Sequence, residues 1–331
     1  MSRVLLAIVW APVLAAQEQP GVLIRTETRL VLLRCHVVRQ NRYVTDLKAE
    51  DFELREDGAP RKIALFESAA SRASGEALPV EVYLAIDVSH SVVNPNLLDP
   101  VLLKGAFLEG LGERASLAVY AFGGRTRRFT APTSDPAKLA AALSAAYDFA
   151  HPGTRLYGSI IQVAREAASS AAPSSRIMVV LSDGMDTTKI RRKAAVEAAM
   201  AAGIPVYPIL LGHERVARLA QGAPRTPGRG GGSGMENPRW LERQARAATR
   251  ELEMQEFAGM GEATGGAAFD PPFLNSAVLK AILEGLVGQI RSQYVLGFYP
   301  PAGKATRHNL RVRLRGKGAG KLCGGSRTLI Y

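Results

Sequence analysis

Five oxygen-bearing side chains in three separate stretches of this chain have the chemistry of a metal site. They are, in chain order, Asp87, Ser89, Ser91, Thr154 and Asp183. Asp87 directly follows the apolar run 80–86, and Asp183 ends the run 177–182. Such runs are typical of buried parallel strands, whose carboxyl ends line the crevice where open α/β sheets bind ligands. Two carboxylates and three hydroxyls at that edge are the ligands that a hard divalent cation prefers.

The spacing Asp87-x-Ser89-x-Ser91 supports one shared site, because a period of two places the three side chains on one side of an extended backbone. The alternative is ordinary helix capping, since Ser and Asp after a strand often cap the next helix. Capping accounts for any one of the five residues alone, whereas the full set favours a metal. His90, inside the motif, is expected to point away from the ion.

The elements that position these residues alternate between strands and helices across residues 78–292. Helices are predicted at 97–111, 136–147, 156–171, 191–202, 244–263 and 276–291, and strands at 80–86, 116–122, 127–130, 177–182, 205–211 and 267–269. This order predicts the α/β class: a doubly wound, mostly parallel sheet with helices on both faces. The Gly/Arg-rich segment 212–238 interrupts it and is either a passive insertion or a lid or partner contact at the metal edge.

The two flanks of this domain have strand and hairpin patterns instead. Residues 22–67 and 293–331 are both predicted to be β, with 69–75 as a linker before the α/β domain. We expect the two flanks to form one β-sandwich-like unit together, with the α/β domain inserted between them. The alternative is that each flank packs separately on the α/β domain. The cysteines, Cys35 and Cys323, lie one in each flank, and they either form a disulfide between the flanks or remain two unpaired thiols.

Residues 1–16 have the parts of a secretory signal peptide: Arg3, an apolar stretch at 4–14, and Ala15-Ala16 before Gln17. A membrane anchor is the alternative, but the apolar stretch is shorter than the ~20 residues of a membrane span. No later apolar run reaches that length. We therefore expect an exported, soluble mature protein that is periplasmic or extracellular.

The formal net charge of +12 is partly concentrated at 308–315, where arginines alternate with apolar residues. That alternation predicts a half-buried strand with a basic outer face. An anionic surface or nucleic acid could bind it. No aromatic residues interleave with the arginines and no nucleic-acid motif accompanies them, so we favour a solvated strand face and expect no specific nucleic-acid binding.

The five-residue pattern in its strand context resembles the metal-ion-dependent adhesion site of von Willebrand factor type A domains. All five motif positions are filled, and the resemblance spans about residues 78–292. Segments 43–47, 51–58 and 293–300 also resemble bacterial, acidobacterial-type exported proteins related to these domains, which implies export but no defined activity. The segment after Leu211 and the terminal Cys323-Gly324-Gly325 depart from that pattern.

The function that we expect is a divalent-cation-dependent, adhesion-type protein-binding module. Mg²⁺ is the predicted ion, with Mn²⁺ and Ca²⁺ as alternatives, and the resemblance implies a partner that offers an Asp or Glu carboxylate. One rival is a structural envelope protein that binds anionic surfaces through the basic strand. The other is a metal-dependent hydrolase with His90 or His151 as base. We expect no enzymatic activity, because neither a second carboxylate cluster nor a Gly-x-Ser-x-Gly motif accompanies these histidines.

Overall fold

The computed structural model describes residues 30–40, 42–75, 77–89, 97–149, 151–170, 174–211, 238–301, 306–316 and 320–330. Four of the sequence predictions fall outside these ranges. They concern the signal peptide at 1–16, His90, Ser91, and residues 212–237 of the long glycine-rich segment.

The strands of the described chain are β1 Val31–Arg39, β2 Arg42–Val44, β3 Phe52–Glu56, β4 Ala59–Arg61, β5 Leu65–Glu67, β6 Val80–Asp87, β7 Ala115–Phe122, β8 Thr126–Thr133, β9 Ser175–Ser182, β10 Val206–Leu210, β11 Tyr294–Phe298, β12 Arg307–Leu314, β13 Lys321–Cys323 and β14 Ser326–Ile330. A 3₁₀ turn, Ala49–Asp51, precedes β3. The helices are α1 Ala69–Ala73, α2 Pro100–Leu102 continuing through Leu103–Leu108 to Glu109–Leu111, α3 Pro136–Tyr147, α4 Leu156–Ala168, α5 Arg192–Ala201, α6 Pro238–Thr264 and α7 Ser276–Ser292.

The central sheet has the strand order β10-β9-β6-β7-β8. The first four of these strands run parallel to their neighbours, and β8 is antiparallel to β7, so the sheet is mixed. From β6 the chain moves outward through β7 and β8, then returns to the other side of β6 for β9 and β10. The strand order therefore reverses between β6 and β9, the position at which open α/β sheets form a ligand crevice.

Helices cover both faces of this sheet. On one face Leu84 packs in a core with residues of α2, α3 and α7, and on the other Tyr83 packs with residues of α4, α5 and α6. Because β6 is buried on both sides, its sequence is nearly continuous in apolar residues instead of alternating. The prediction of a mixed α/β protein is confirmed.

The two flanks interleave their strands in two further sheets. One has the order β13-β1-β11-β5, with β2 also paired to β1, and the other has the order β14-β12-β3-β4. Each sheet thus contains strands from both ends of the chain. Leu33, Phe52, Tyr294 and Leu310 lie in one apolar core that both sheets share.

The register of β13 on β1 determines that the two cysteine side chains point in different directions. His36, not Cys35, lies opposite Cys323. Since successive side chains of a strand point to opposite faces, Cys35 and Cys323 point to opposite faces of the sheet. Neither cysteine forms a disulfide in this structure, so the alternative of two separate thiols describes it.

Local sequence signals account for several helix boundaries. Asp135 caps α3 by accepting from the backbone N–H groups of Ala137 and Lys138, and Pro136 is its first residue. Asp99 caps α2 in the same way, so that helix begins at Pro100 and not at residue 97 as predicted. The predicted linker at 69–75 is wrong in part, because it contains the short helix α1.

The flanking sheets contact the central sheet at the amino ends of its strands. The Arg34 guanidinium of β1 donates a hydrogen bond to Ser175 Oγ, at the first residue of β9, over 3.0 Å. Gln293 Nε2 donates to the Tyr207 hydroxyl near the start of β10 over 3.1 Å. The flanks therefore lie at the edge opposite to Asp87 and Asp183. Across the described residues, no helix combines the length and apolar character that a membrane crossing requires.

Candidate metal site

Asp87 is the last residue of β6, and two neighbours fix its buried carboxylate. Its side chain is 2 % exposed. The Ser182 hydroxyl donates to Oδ2 over 2.7 Å, and the Ser89 backbone N–H donates to Oδ1 over 3.0 Å. The Ser182 contact follows from the parallel register of β6 and β9, in which Ile86 lies opposite Leu181.

Burial raises the pKa of Asp87 to about 6, because a desolvated carboxylate is less stable than the neutral acid. The hydrogen bonds from Ser182 and Ser89 act in the opposite direction, and the negative charge of Asp183 raises the pKa further. The two carboxylates therefore influence each other across the junction of β6 and β9.

Asp183 follows β9 directly, and only one of its two carboxylate oxygens accepts a hydrogen bond within the described residues. Oδ1 accepts from the Met185 backbone N–H over 3.2 Å. Oδ2 is buried and has no hydrogen-bond donor in the described part of the chain, and the Arg250 guanidinium lies 3.9 Å from it. A buried carboxylate oxygen without a donor is costly. A cation at this oxygen would remove that cost, so the donor set fits a divalent ion.

Thr154 reaches the same edge on a loop that is tied to the chain after Asp183. Its backbone N–H donates to Thr187 Oγ1 over 2.9 Å, and the same hydroxyl donates to the Thr154 carbonyl over 3.0 Å. The Arg155 N–H donates to the Gly123 carbonyl, just beyond β7, over 2.8 Å. Thr154 is itself buried. The loop is thus held between the carboxyl ends of β7 and β9.

Four of the five predicted ligands, Asp87, Ser89, Thr154 and Asp183, lie at the carboxyl edge of the central sheet and are buried there. Ser91 lies outside the described residues. His151, proposed above as a base for the hydrolase alternative, packs its ring edge-on against Phe149 at 4.7 Å between centroids.

Several residues that support the site were not identified from the sequence. Asp186 caps α4 from another loop, because its Oδ2 accepts from the Tyr157 N–H over 2.8 Å. The Thr187 hydroxyl accepts a hydrogen bond from the Thr154 backbone, and the Ser182 hydroxyl donates one to the Asp87 carboxylate. The run Asp186-Thr187-Thr188 is a polar turn signal that could have indicated this role. Nothing in the sequence connects Arg250, which is 67 positions beyond Asp183, to the site.

Helix α6 brings Arg250 to Asp183 by packing closely on the loop after β9. Gly184 has a φ of +81°, and a Cβ there would lie 3.0 Å from the Met254 Cα. A side chain at this position would therefore collide with the helix backbone. Next to this contact is a cavity of about 450 Å³ whose lining includes Gly184, Glu253 and Arg192. Burial raises the pKa of Glu253, with Arg250 acting against that shift.

Comparison with known proteins places the chain near several solved structures. No protein-family model and no curated protein matches the chain. An aerotolerance-related membrane protein from Bacteroides fragilis, with multiple mutations to serines, is similar at 22% identity and a TM-score of 0.40, covering 63% of this chain and 99% of that one. The conserved hypothetical protein BatB from Bacteroides thetaiotaomicron matches at 22% identity and a TM-score of 0.40, covering 64% and 100%.

A third similar structure is a von Willebrand factor type A protein from Catenulispora acidiphila. It is 11% identical with a TM-score of 0.41, and the match covers 89% of this chain and 75% of that one. Because these identities and TM-scores are low, the case for a metal site rests on the residues described above.

Proposed function

We propose that this protein is an exported, divalent-cation-dependent protein-binding module with a von Willebrand factor A type of metal site. Asp87, Ser89, Thr154 and Asp183 would hold the ion, together with Ser91, which lies outside the described residues. The observation that carries the proposal is the buried Asp183 Oδ2, which has no hydrogen-bond donor among the described residues and lies where the strand order reverses.

The ligand chemistry favours Mg²⁺, with Mn²⁺ and Ca²⁺ as alternatives, because every proposed ligand is an oxygen. When bound, such an ion offers an outer coordination position to a carboxylate of a partner protein. The hydroxyls of Ser89 and Thr154 are neutral and leave the ion more positive than an all-carboxylate site would. We propose binding without catalysis, because coordination of a partner carboxylate by the ion requires no general base. Export is proposed from the signal pattern at 1–16.

The metal site is tested by thermal unfolding with and without Mg²⁺. A ligand at about 100 times its Kd stabilises the folded state by about 2.7 kcal/mol, which corresponds to a rise of several degrees in Tm. We expect that rise in the wild type and its loss in Asp183→Asn and Asp87→Asn. Asp148→Asn, which changes an exposed carboxylate elsewhere, is the matched control. An unchanged Mg²⁺ response in both site variants would refute the assignment.

The partner is tested by a pull-down from the exported fraction with wild-type and Asp183→Asn protein as baits. A protein retained by the wild type in Mg²⁺, released by EDTA and absent from the variant supports the proposal. Amidation of the retained protein's carboxylates should then abolish its binding. Retention that persists in EDTA would contradict a cation-dependent contact.

A second candidate function, binding of an anionic surface, is supported by a groove beside the basic strand. The groove has a volume of about 930 Å³, and its lining includes Arg55, Arg307, Arg311 and Arg313. Arg311 lies directly opposite Arg55 on β3, and the Arg55 guanidinium is paired with Glu53 over 2.7 Å. Within the described residues neither Arg311 nor Arg313 forms an ion pair.

This second function predicts binding that depends on salt instead of metal. Arg311→Gln with Arg313→Gln should weaken binding to vesicles containing anionic lipid about ten-fold at low salt, whereas Arg246→Gln on α6 should not. Binding should fall with added NaCl, because exposed charges are screened over about 8–10 Å at physiological ionic strength. Vesicle binding that is insensitive to both salt and the double variant would exclude this function.

A further inference from the structure

A second group of potential metal ligands lies between the two flanks, remote from Asp87 and Asp183. It consists of Glu56 at the end of β3, Asp57 in the turn that follows, and His308 on β12. His308 Nδ1 lies 2.9 Å from Asp57 Oδ2 and 3.2 Å from Glu56 Oε1. The three ligand atoms all fall within 4.8 Å of one another. One imidazole nitrogen of the C-terminal flank thus faces two carboxylates of the N-terminal flank.

Each of the three side chains has a second polar atom, and that atom forms a hydrogen bond with a residue outside the cluster. Thr306 Oγ1 contacts His308 Nε2 at 2.8 Å, and the Asn309 backbone N–H donates to Asp57 Oδ1 over 2.8 Å. The Arg61 guanidinium donates to Glu56 Oε2. These contacts leave His308 Nδ1, Asp57 Oδ2 and Glu56 Oε1 directed at one another. Outer hydrogen bonds of this kind are what orient metal ligands in proteins.

We propose that Glu56, Asp57 and His308 bind a divalent transition metal, with Zn²⁺ as the best match. Zn²⁺ takes imidazole nitrogen and carboxylate oxygen at about 2.0–2.2 Å, and a tetrahedral arrangement then separates ligand atoms by about 3.3 Å. The observed separations of 2.9 and 3.2 Å need to widen by only a few tenths of an ångström. The fourth position is open to water, because Asp57 is half exposed.

The charges at this cluster favour the same ion. The Glu56 side chain is 2 % exposed, and its carboxylate shares the cluster with a second one. Without a metal, His308 Nδ1 has at most one proton to offer to both carboxylates. With a metal, Nδ1 would be the ligand and the proton would lie on Nε2, where Thr306 Oγ1 accepts it. Arg61 remains on the outer oxygen of Glu56 in either state.

The site would cross-link the two flanks across 251 positions of the chain, since Asp57 and His308 belong to different ends. Metal binding that requires the folded arrangement adds its free energy to folding. A Zn²⁺ ion here would therefore stabilise the pairing of β3 with β12, in a protein whose two cysteines point to opposite faces of their sheet. This role is independent of the proposed Mg²⁺ site.

The test is titration of metal-stripped protein with Co²⁺ in the absence of Mg²⁺, following visible absorption, and with Zn²⁺, following Tm. The background is Asp183→Asn, which removes a ligand of the other candidate site. We expect about one equivalent of Co²⁺ with absorption typical of a four-coordinate ion, displaced by Zn²⁺. His308→Gln should weaken binding at least ten-fold. His36→Gln, which alters another histidine of the same sheets, and Cys323→Ser should leave it unchanged.

Asp57→Asn provides a second probe, because this partly exposed turn residue is replaced by an isostere. It should also weaken Co²⁺ binding at least ten-fold if the fold is retained by circular dichroism. Full binding by both His308→Gln and Asp57→Asn would overturn the proposal, as would failure of the wild type to bind either ion at micromolar concentration.

Discussion

At the scale of single residues, the candidate Mg²⁺ site combines a fully engaged carboxylate with one that is not. Asp87 accepts from Ser182 and from the Ser89 backbone, whereas Asp183 keeps a buried oxygen without a donor in the described chain. The hydrogen bonds to Asp87 fix the position of its carboxylate. The buried Asp183 oxygen without a donor would attract a cation. If the proposed ion binds here, we expect separate contributions, with Asp87 supplying orientation and Asp183 supplying affinity.

Asp87 should also make the stability of the metal-free protein depend on pH. Its pKa rises from 3.8 in the unfolded chain to about 6 in the folded one, so the folded state binds more protons between these values. The unfolding free energy should therefore fall as pH rises from about 4 to 6, by about 3 kcal/mol from this group. Below and above that window its contribution is constant.

The measurement is chemical denaturation in EDTA at intervals from pH 3.5 to 7.5. Asp87→Asn lacks the titrating group, so the difference in unfolding free energy between wild type and variant should change by about 3 kcal/mol across the window. Asp148→Asn should run parallel to the wild type. A constant difference between wild type and Asp87→Asn would show that burial does not perturb this carboxyl.

The candidate ligands could be named from the sequence because their signals are local. An apolar run ending in Asp, or a Gly-Thr after His-Pro, is visible within a few residues. Arg250 was not predictable, because its role depends on how closely α6 approaches the loop at Gly184. Arg250 and Asp183 become neighbours only when the chain folds.

At the scale of elements, α6 acts as a second layer over the metal edge. It contributes Arg250, which faces Asp183, and Glu253, which lines the adjoining cavity. An arginine beside a candidate cation site compensates the carboxylate when the ion is absent and repels the ion when it arrives. In the proposed metal site, this helix would therefore set the balance between the ion-free and ion-bound states.

Arg250→Gln should accordingly tighten Mg²⁺ binding while destabilising the metal-free protein. The Arg250 guanidinium lies 3.9 Å from Asp183 Oδ2, so an ion bound to that oxygen would be repelled by a nearby positive charge. Two unit charges about 4 Å apart interact by about 1 kcal/mol in water. Loss of that repulsion should lower the Mg²⁺ Kd about five-fold, as measured by calorimetric titration. Arg246→Gln, one turn earlier and exposed, is the control. Unchanged or weaker Mg²⁺ binding in Arg250→Gln would contradict this role.

The elements differ in how well their boundaries follow from the sequence. Helix α3 was predicted with its bounds, since Asp135 and Pro136 mark its start. Helix α2 was predicted to begin at residue 97, but it begins at Pro100 after the Asp99 cap. Its middle also adopts a π-helical turn at Leu103–Leu108, in which backbone bonds skip one residue more than usual. No local pattern in the sequence signals that irregularity.

At the scale of the whole molecule, Tyr294 joins the two flanks through its hydroxyl. This group accepts from the Leu47 N–H over 3.0 Å and donates to the Val44 carbonyl over 2.9 Å, and its ring is fully buried. Both partners belong to the N-terminal flank, whereas Tyr294 begins β11. The side chain therefore bridges segments about 250 positions apart.

Tyr294→Phe should destabilise the protein by about 1–3 kcal/mol, because two backbone groups lose their partner inside the structure. Denaturant unfolding followed by near-ultraviolet circular dichroism measures this change. Tyr299→Phe, which removes an exposed hydroxyl five positions later, should shift stability by less than about 0.5 kcal/mol. Equal stability of the two variants would show that the Tyr294 bridge contributes nothing.

The pairing of strands that are distant in the sequence is the feature that is hardest to predict from the sequence. The β character of both flanks follows from hairpin signals such as Asp57-Gly58, yet nothing local says that β12 pairs with β3 or that β11 lies between β1 and β5. The register that separates Cys35 from Cys323 is a single-residue offset, and no pattern in either segment determines it.

The position of the flanking sheets has a mechanical consequence. They contact the amino ends of the central strands, at Ser175 and Tyr207, while Asp87 and Asp183 lie at the carboxyl ends. A partner that pulls on the metal edge would load β6 and β9 along their length. Their parallel ladder would then resist in shear, with many hydrogen bonds sharing the tension at once. If the proposed partner binding takes place, this geometry would resist a force applied through the bound partner.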